Sequence, residues 1–114
     1  MVGGVRVSYT VSSDGVSEIQ LHESDRIKSI LRNISILLRT RQGSVPLYRE
    51  FGLPMNFLDK PLPVAVPTLI METREAIMRF EPRAEFVTAN LVYNAAGILT
   101  AQVEVNILNE ESGL

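Results

Sequence analysis

Between Ile98 and Leu108 the chain alternates without interruption, with Leu99, Ala101, Val103, Val105 and Ile107 set between Thr100, Gln102, Glu104 and Asn106. Successive side chains of an extended backbone point to opposite faces, so this period of two predicts a strand with one buried face. The run contains no Pro, no Gly and a single charge, Glu104. A strand of this kind requires partner strands and a layer to cover its apolar side.

Glu85 to Tyr93 reads as its hairpin partner, joined through the turn residues Asn94-Ala95-Ala96-Gly97. Near the start of the chain Val5, Val7, Tyr9 and Val11 alternate with Arg6, Ser8 and Thr10. Ser12-Ser13-Asp14-Gly15 then supplies turn chemistry, and Val16 to Leu21 resumes an extended run, which predicts an N-terminal hairpin. The period changes after Ser24, a candidate N-cap followed by Asp25. Ile27, Ile30, Leu31, Ile34, Leu37 and Leu38 recur at steps of three and four, a helix with one wide apolar stripe that ends near Thr40, ahead of Gly43 and Pro46. A second helix is expected from about Pro67 or Thr68, with Val66, Leu69, Ile70, Thr73, Ile77 and Phe80 inward, Glu75 and Arg79 paired outside, and Pro82 as its stop. Gln42 to Pro67 carries too many Gly and Pro for long regular structure, yet Leu47, Tyr48, Phe51, Leu53, Met55, Phe57, Leu58 and Leu62 make it too apolar for a flexible linker. An ordered loop over the core is expected there.

The fold class that follows is α+β: a mixed sheet from N-terminal and C-terminal hairpins with two amphipathic helices on one face, residues 1–114 forming one domain. A chain of 114 residues, 46% apolar, is long enough to bury one core. With 11 basic and 13 acidic residues its formal charge of −2 has the wrong sign to draw in phosphate backbones, so nucleic acid is not the expected partner. Cysteine is absent, which removes disulfides and thiolate metal sites. No signal peptide and no membrane span are expected from the apolar runs present.

Little in the sequence suggests catalysis. His22, the single histidine, stands at a strand-to-helix connection beside Glu23 and Asp25, with no ligand pair at a diagnostic spacing, so neither metal nor cofactor is expected. Gly3-Gly4 and the later glycines match no phosphate-binding fingerprint. Glu50, Glu72, Glu75, Glu81 and Glu85 read as solvated surface carboxylates, though pairs of them leave a glycoside hydrolase open. The informative tripeptide is Glu81-Pro82-Arg83. Glu81 puts negative charge at the already negative end of a helix, and Pro82 holds it away from helical geometry, so Glu81 and Arg83 project to the same side. Two readings are open. Arg83 neutralises its acidic neighbours in a local ladder, or the tripeptide is a rigid charged tooth that offers a fork of donors and a pair of acceptors to a partner.

Three segments in order resemble the baseplate sheath-initiator family, which includes TssE of type VI secretion and the GPW baseplate proteins of contractile phages, some once labelled lysozyme-like. They are Leu37-Leu38-Arg39-Thr40-Arg41-Gln42-Gly43, then Tyr48-Arg49-Glu50-Phe51-Gly52-Leu53, then Glu81-Pro82-Arg83 between a helix and a two-strand unit. The resemblance spans roughly Ser24 to Leu108; one departure is Ser44, where many relatives are acidic. It implies a structural protein and not an enzyme, made in the cytoplasm and then built into a tail baseplate. Copies would stand in a ring, dock on the wedge core through Glu81, Pro82 and Arg83, and template the tail sheath protein by strand addition. The last strand is the expected site of that addition, at Ile98, Thr100, Gln102, Glu104 and Asn106, with an interior position for the strand as the alternative. On this reading Arg83→Ala leaves folding nearly intact. The enzyme alternative is a lysozyme-like peptidoglycan hydrolase of the tail.

Overall fold

The computed structural model describes residues 5–13 and 25–109. Strands β1 (Val5–Ser12), β2 (Ala84–Tyr93) and β3 (Leu99–Asn109) and helices α1 (Asp25–Leu38) and α2 (Leu62–Phe80) make an α+β fold, as the two periods predict. A short 3₁₀ helix, Asn56–Asp59, lies in the connection between the helices. The expected strand from Val16 to Leu21, the N-cap Ser24 and His22 lie outside the described residues.

The sheet runs in the order β1-β3-β2. Both pairings are antiparallel, so among the described residues the sheet is antiparallel throughout, in place of the mixed pairing expected. Register places Tyr9, Val105 and Phe86 in one row and Val11, Val103 and Ala89 in the next. These side chains belong to one core with the inner stripes of both helices, in which Val11, Val103, Val105 and Ile107 are fully enclosed. The other face is polar: the Ser8 hydroxyl donates to Asn106 Oδ1 at 2.6 Å, and Arg6 pairs with Glu85 across the central strand.

The central place of β3 overturns one expectation. From Gln102 to Asn106 its backbone is laddered to β1 on one side and to β2 on the other, so Gln102, Glu104 and Asn106 offer no free edge. Ile98 closes the β2–β3 turn through the Asn94 carboxamide, and Thr100 is paired with Val92. Alternation reports which face of a strand is buried and is silent on what flanks it. In the described sheet the edges are β1 and β2.

Helix α1 buries Ile27, Ile30, Leu31, Ile34, Leu37 and Leu38, the expected stripe. Helix α2 begins at Leu62, ahead of the Pro67 or Thr68 expected. Pro61 serves as its N-cap and Pro63 falls in the first turn, where a missing N–H costs nothing. Pro67 lies inside the helix on the solvent side, so the carbonyl it leaves unbonded can meet water. Arg79 pairs with Glu50 of the preceding loop, not with Glu75 as expected.

The loop from Gln42 to Leu53 is closed at its neck. Leu53 N–H donates to the Thr40 carbonyl at 2.8 Å, Gln42 N–H to the Leu53 carbonyl at 2.9 Å, and Gly43 N–H to the Arg49 carbonyl at 2.8 Å. Gly52 makes this possible: at φ +115° a β-carbon there would sit 2.4 Å from the Thr40 carbonyl oxygen. Gly43, at φ +89°, has open space around it. Gly52→Ala is therefore expected to lose on the order of 3 kcal/mol through strain and steric overlap, and Gly43→Ala about 1 kcal/mol. Urea unfolding of the two variants checks the ranking, and equal losses would contradict the closed neck.

Candidate functional site

Helix α2 stops because Pro82 forbids helical geometry at the residue before it. Glu81 turns out at φ −142°, ψ 67° while its N–H still donates to the Ile77 carbonyl, and Ala84 N–H closes a turn onto the Glu81 carbonyl at 3.1 Å. That turn folds Arg83 back over Glu81. Arg83 Nε donates to Glu81 Oε1 at 2.7 Å and Nη2 to Oε2 at 2.8 Å, a two-pronged ion pair. Asn33 Nδ2, from α1, adds a third donor at 3.1 Å.

The pair is unequal. Glu81 is only 3% exposed, whereas 46% of the Arg83 side chain faces solvent. The ion pair is local, as the first of the two open readings has it, and its cationic half and Pro82 stand on the surface. Burial by itself would push the Glu81 carboxyl up; the hydrogen bonds from Arg83 and Asn33 and the Arg83 charge outweigh it and hold the carboxyl below its ordinary value. Arg83 is held more firmly protonated by its hydrogen bond to Glu81. From this geometry Arg83→Ala is expected to leave a buried carboxylate with Asn33 alone and to cost about 1–3 kcal/mol, more than the sequence by itself suggests.

The three recognised segments converge here. The first two are zipped by the loop-neck bonds and by Gln42 Nε2 donating to the Glu50 carbonyl at 3.1 Å. Phe51 and Tyr48 pack on Phe80, the last residue of α2, with ring centres 5.2 and 5.6 Å away. Glu50 meets Arg79 on the same turn. Asn33, Leu37, Phe51, Phe80 and Glu81 then line a groove of about 240 Å³. Ser44, the departure from the family pattern, donates its hydroxyl to the Arg41 carbonyl at 2.7 Å and so stays within the loop.

Two residues of this region have a structural role that differs from their reading in the sequence, Asn33 as a solvent-facing residue and Glu72 as a surface carboxylate. Asn33 lies on the polar side of α1 and nothing in its spacing points to Glu81, 48 positions away. Glu72 did carry a signal, since it shares the inner face of α2 with Ala65, Leu69 and Ala76 at steps of three and four. It is 4% exposed, and its oxygens accept the Met55 and Asn56 backbone N–H groups at 2.9 and 3.1 Å. A carboxylate at that place satisfies the first donors of the 3₁₀ helix and fixes Met55 at its positive φ of 64°.

The glutamates considered for hydrolysis mostly have structural employment: Glu50 with Arg79, Glu72 with the backbone, Glu81 with Arg83 and Asn33, Glu85 with Arg6. Glu72 and Glu75 share a cleft of about 80 Å³, far below the several hundred Å³ usual for ligand sites. Among the described residues no group of three or more Asp, Glu or His is placed to hold a metal ion, and no helix is long and apolar enough to cross a membrane.

Among known families, the one described as baseplate wedge protein gp25 matches residues 24–111. No curated protein matches the chain.

A carboxyl whose folded pKa is depressed stabilises the fold above its unfolded value, 4.5, and loses that contribution as pH falls from there through the lower folded value. Glu81→Gln is expected to flatten this acid limb in urea unfolding measured from pH 6 to pH 3, roughly the span of carboxylate titration. Parallel limbs for the variant and the natural chain would show that Glu81 does not contribute there.

Proposed function

The chain belongs to the baseplate wedge protein gp25 family, and from that premise we propose that it docks on the wedge core of a contractile tail baseplate and starts the sheath. The observation that carries the docking half is the geometry of Glu81-Pro82-Arg83. A buried carboxylate and a proline fix the guanidinium of Arg83 in place before any partner arrives, so little side-chain entropy is lost on contact. Asn33 of α1 holds that turn directly, and Tyr48, Glu50 and Phe51 hold the end of α2 that leads into it. On this reading copies are made in the cytoplasm and stand in a ring in the finished baseplate, the location that the family match supports.

For the sheath half, a partner arm would add along β2, an edge strand in the described sheet. A bulge between Phe86 and Thr88 and the Asn90 side chain, which accepts from the Leu91 N–H at 2.9 Å, interrupt that edge. Such interruptions discourage indiscriminate pairing while leaving room for a matched strand. Val87 and Tyr93, 44% and 65% exposed, give it apolar grip. The peptidoglycan hydrolase alternative finds less support. A general acid needs a raised pKa, and the most buried carboxyl of this site is pushed the other way.

Because Arg83→Ala removes both docking and the support of Glu81, the informative variant is the double change Glu81→Gln with Arg83→Gln. It replaces an ion pair by a neutral hydrogen-bonded pair and is expected to stay within about 1 kcal/mol of the natural stability. Co-assembly with the neighbouring wedge proteins is expected to fall at least roughly tenfold, the loss of one charge-assisted contact. A stable double variant that assembles normally would refute the docking role. The natural chain has no cysteine, so a single Val87→Cys can be cross-linked to cysteines placed along a sheath arm in assembled particles. Cross-linking from Gln102→Cys on the central strand, with none from Val87→Cys, would refute strand addition at β2.

A further inference from the structure

A second cleft, about 490 Å³, opens beside Pro82 and Arg83 on the outer side of α2 and β2. Its wall carries three guanidinium groups, Arg6, Arg74 and Arg83, and one carboxylate, Glu85. Glu85 is already engaged by Arg6. Arg83 serves Glu81 through Nε and Nη2, which leaves Nη1 outside that pair on a side chain 46% exposed. Arg74 has no ion pair among the described residues; its guanidinium lies over the Phe86 ring, 5.7 Å from the centroid. A chain with a net charge of −2 has therefore gathered an excess of positive charge at this spot. Apolar surface is supplied to the same cleft by Phe86 and by Met78, which is 67% exposed. Met71, 54% exposed, extends the apolar surface one step along α2, so that Met71, Arg74 and Met78 follow one another at spacings of three and four.

We infer that this cleft takes an acidic peptide segment of a partner chain, with a carboxylate between Arg74 and Arg83 and a neighbouring apolar side chain on Met78 and Phe86. The inference rests on the docking reading above and names the chemistry of the partner. Two guanidinium groups on the wall of one cleft suit an anionic group such as a carboxylate, while the exposed Met78 and half-buried Phe86 beside them are satisfied by a hydrocarbon side chain. A nucleic acid would supply the anion but leave the methionines uncovered, and the chain's overall charge opposes it. Arg74 is a specificity residue on this reading: unlike Arg83 it pairs with no charge among the described residues, and its fork selects the partner.

The test titrates the uniformly nitrogen-15-labelled full chain with a short capped peptide that carries one Glu between two leucines in a Gly-Ser background. A peptide with Gln in place of that Glu and a single-stranded oligonucleotide serve as comparisons. Amide shifts are expected around Arg74, Met78, Arg83 and Phe86, with binding about fivefold weaker for the Gln peptide and for Arg74→Gln with the Glu peptide, the worth of one exposed charge pair. Arg74→Gln is expected to leave the melting temperature unchanged. Equal binding of both peptides, shifts elsewhere or no shifts, or tighter binding of the oligonucleotide would overturn the inference. Wedge co-assembly that needs Arg83 but ignores Arg74→Gln would overturn it and leave the docking reading standing. Peptide binding in this cleft, with assembly indifferent to both arginines, would do the reverse.

Discussion

A carboxylate buried at the carbonyl end of a helix is unfavourable twice over, once for lost water and once for the helix dipole. Glu81 occupies that position with 3% of its surface exposed. Its survival requires donors, and they come from both sides: a two-pronged guanidinium two residues on, and a carboxamide from α1. Once those bonds are made, the end of α2, the middle of α1 and the entry to β2 are fixed relative to one another. The loop between the helices completes the arrangement, with Phe51 and Tyr48 against Phe80 and Glu50 against Arg79. An ion pair of this kind is a poor source of net stability, since its desolvation offsets most of its attraction. Its use is positional, because it sets an arginine at the surface with a defined orientation.

The same division of labour is repeated in the loop. Gly52 allows the backbone of Leu53 to reach Thr40, and Glu72 holds the next turn by its two backbone N–H groups. Polar groups are thus spent inside the molecule where the chain must bend, while the sheet and the helix stripes are held by apolar burial. On the surface beside Pro82 stand Arg74, which forms no ion pair among the described residues, and the exposed Met71 and Met78. An assembly protein of this size has few other means of presenting a specific surface.

Much of the fold was legible in the residues. The stripe from Ile27 to Leu38 and the alternation from Ala101 to Ile107 each bury the face their period requires, because periodicity is a direct record of one-sided burial; at the turn end of β3 the pattern fails, with Leu99 37% exposed and Thr100 buried. The start of α2 is earlier than the sequence suggests, since three prolines in seven residues, Pro61, Pro63 and Pro67, read as breakers when two of them sit where a helix tolerates proline and the third faces water. The place of β3 between two strands was illegible, as lateral pairing leaves no mark on alternation. At the candidate site Glu81, Pro82 and Arg83 stood out from local chemistry. Asn33 did not, because a contact across 48 positions has no local signature, and Glu72 was passed over as a surface carboxylate although its spacing put it on the buried stripe.

The most direct measurement is a side-chain-resolution map of this protein inside an assembled baseplate. The expected result is Arg83 still paired with Glu81 while the outward edge of its guanidinium and Pro82 lie against a wedge protein. A map in which that turn faces solvent, with the protein held to the baseplate by another surface, would contradict the docking role at its root.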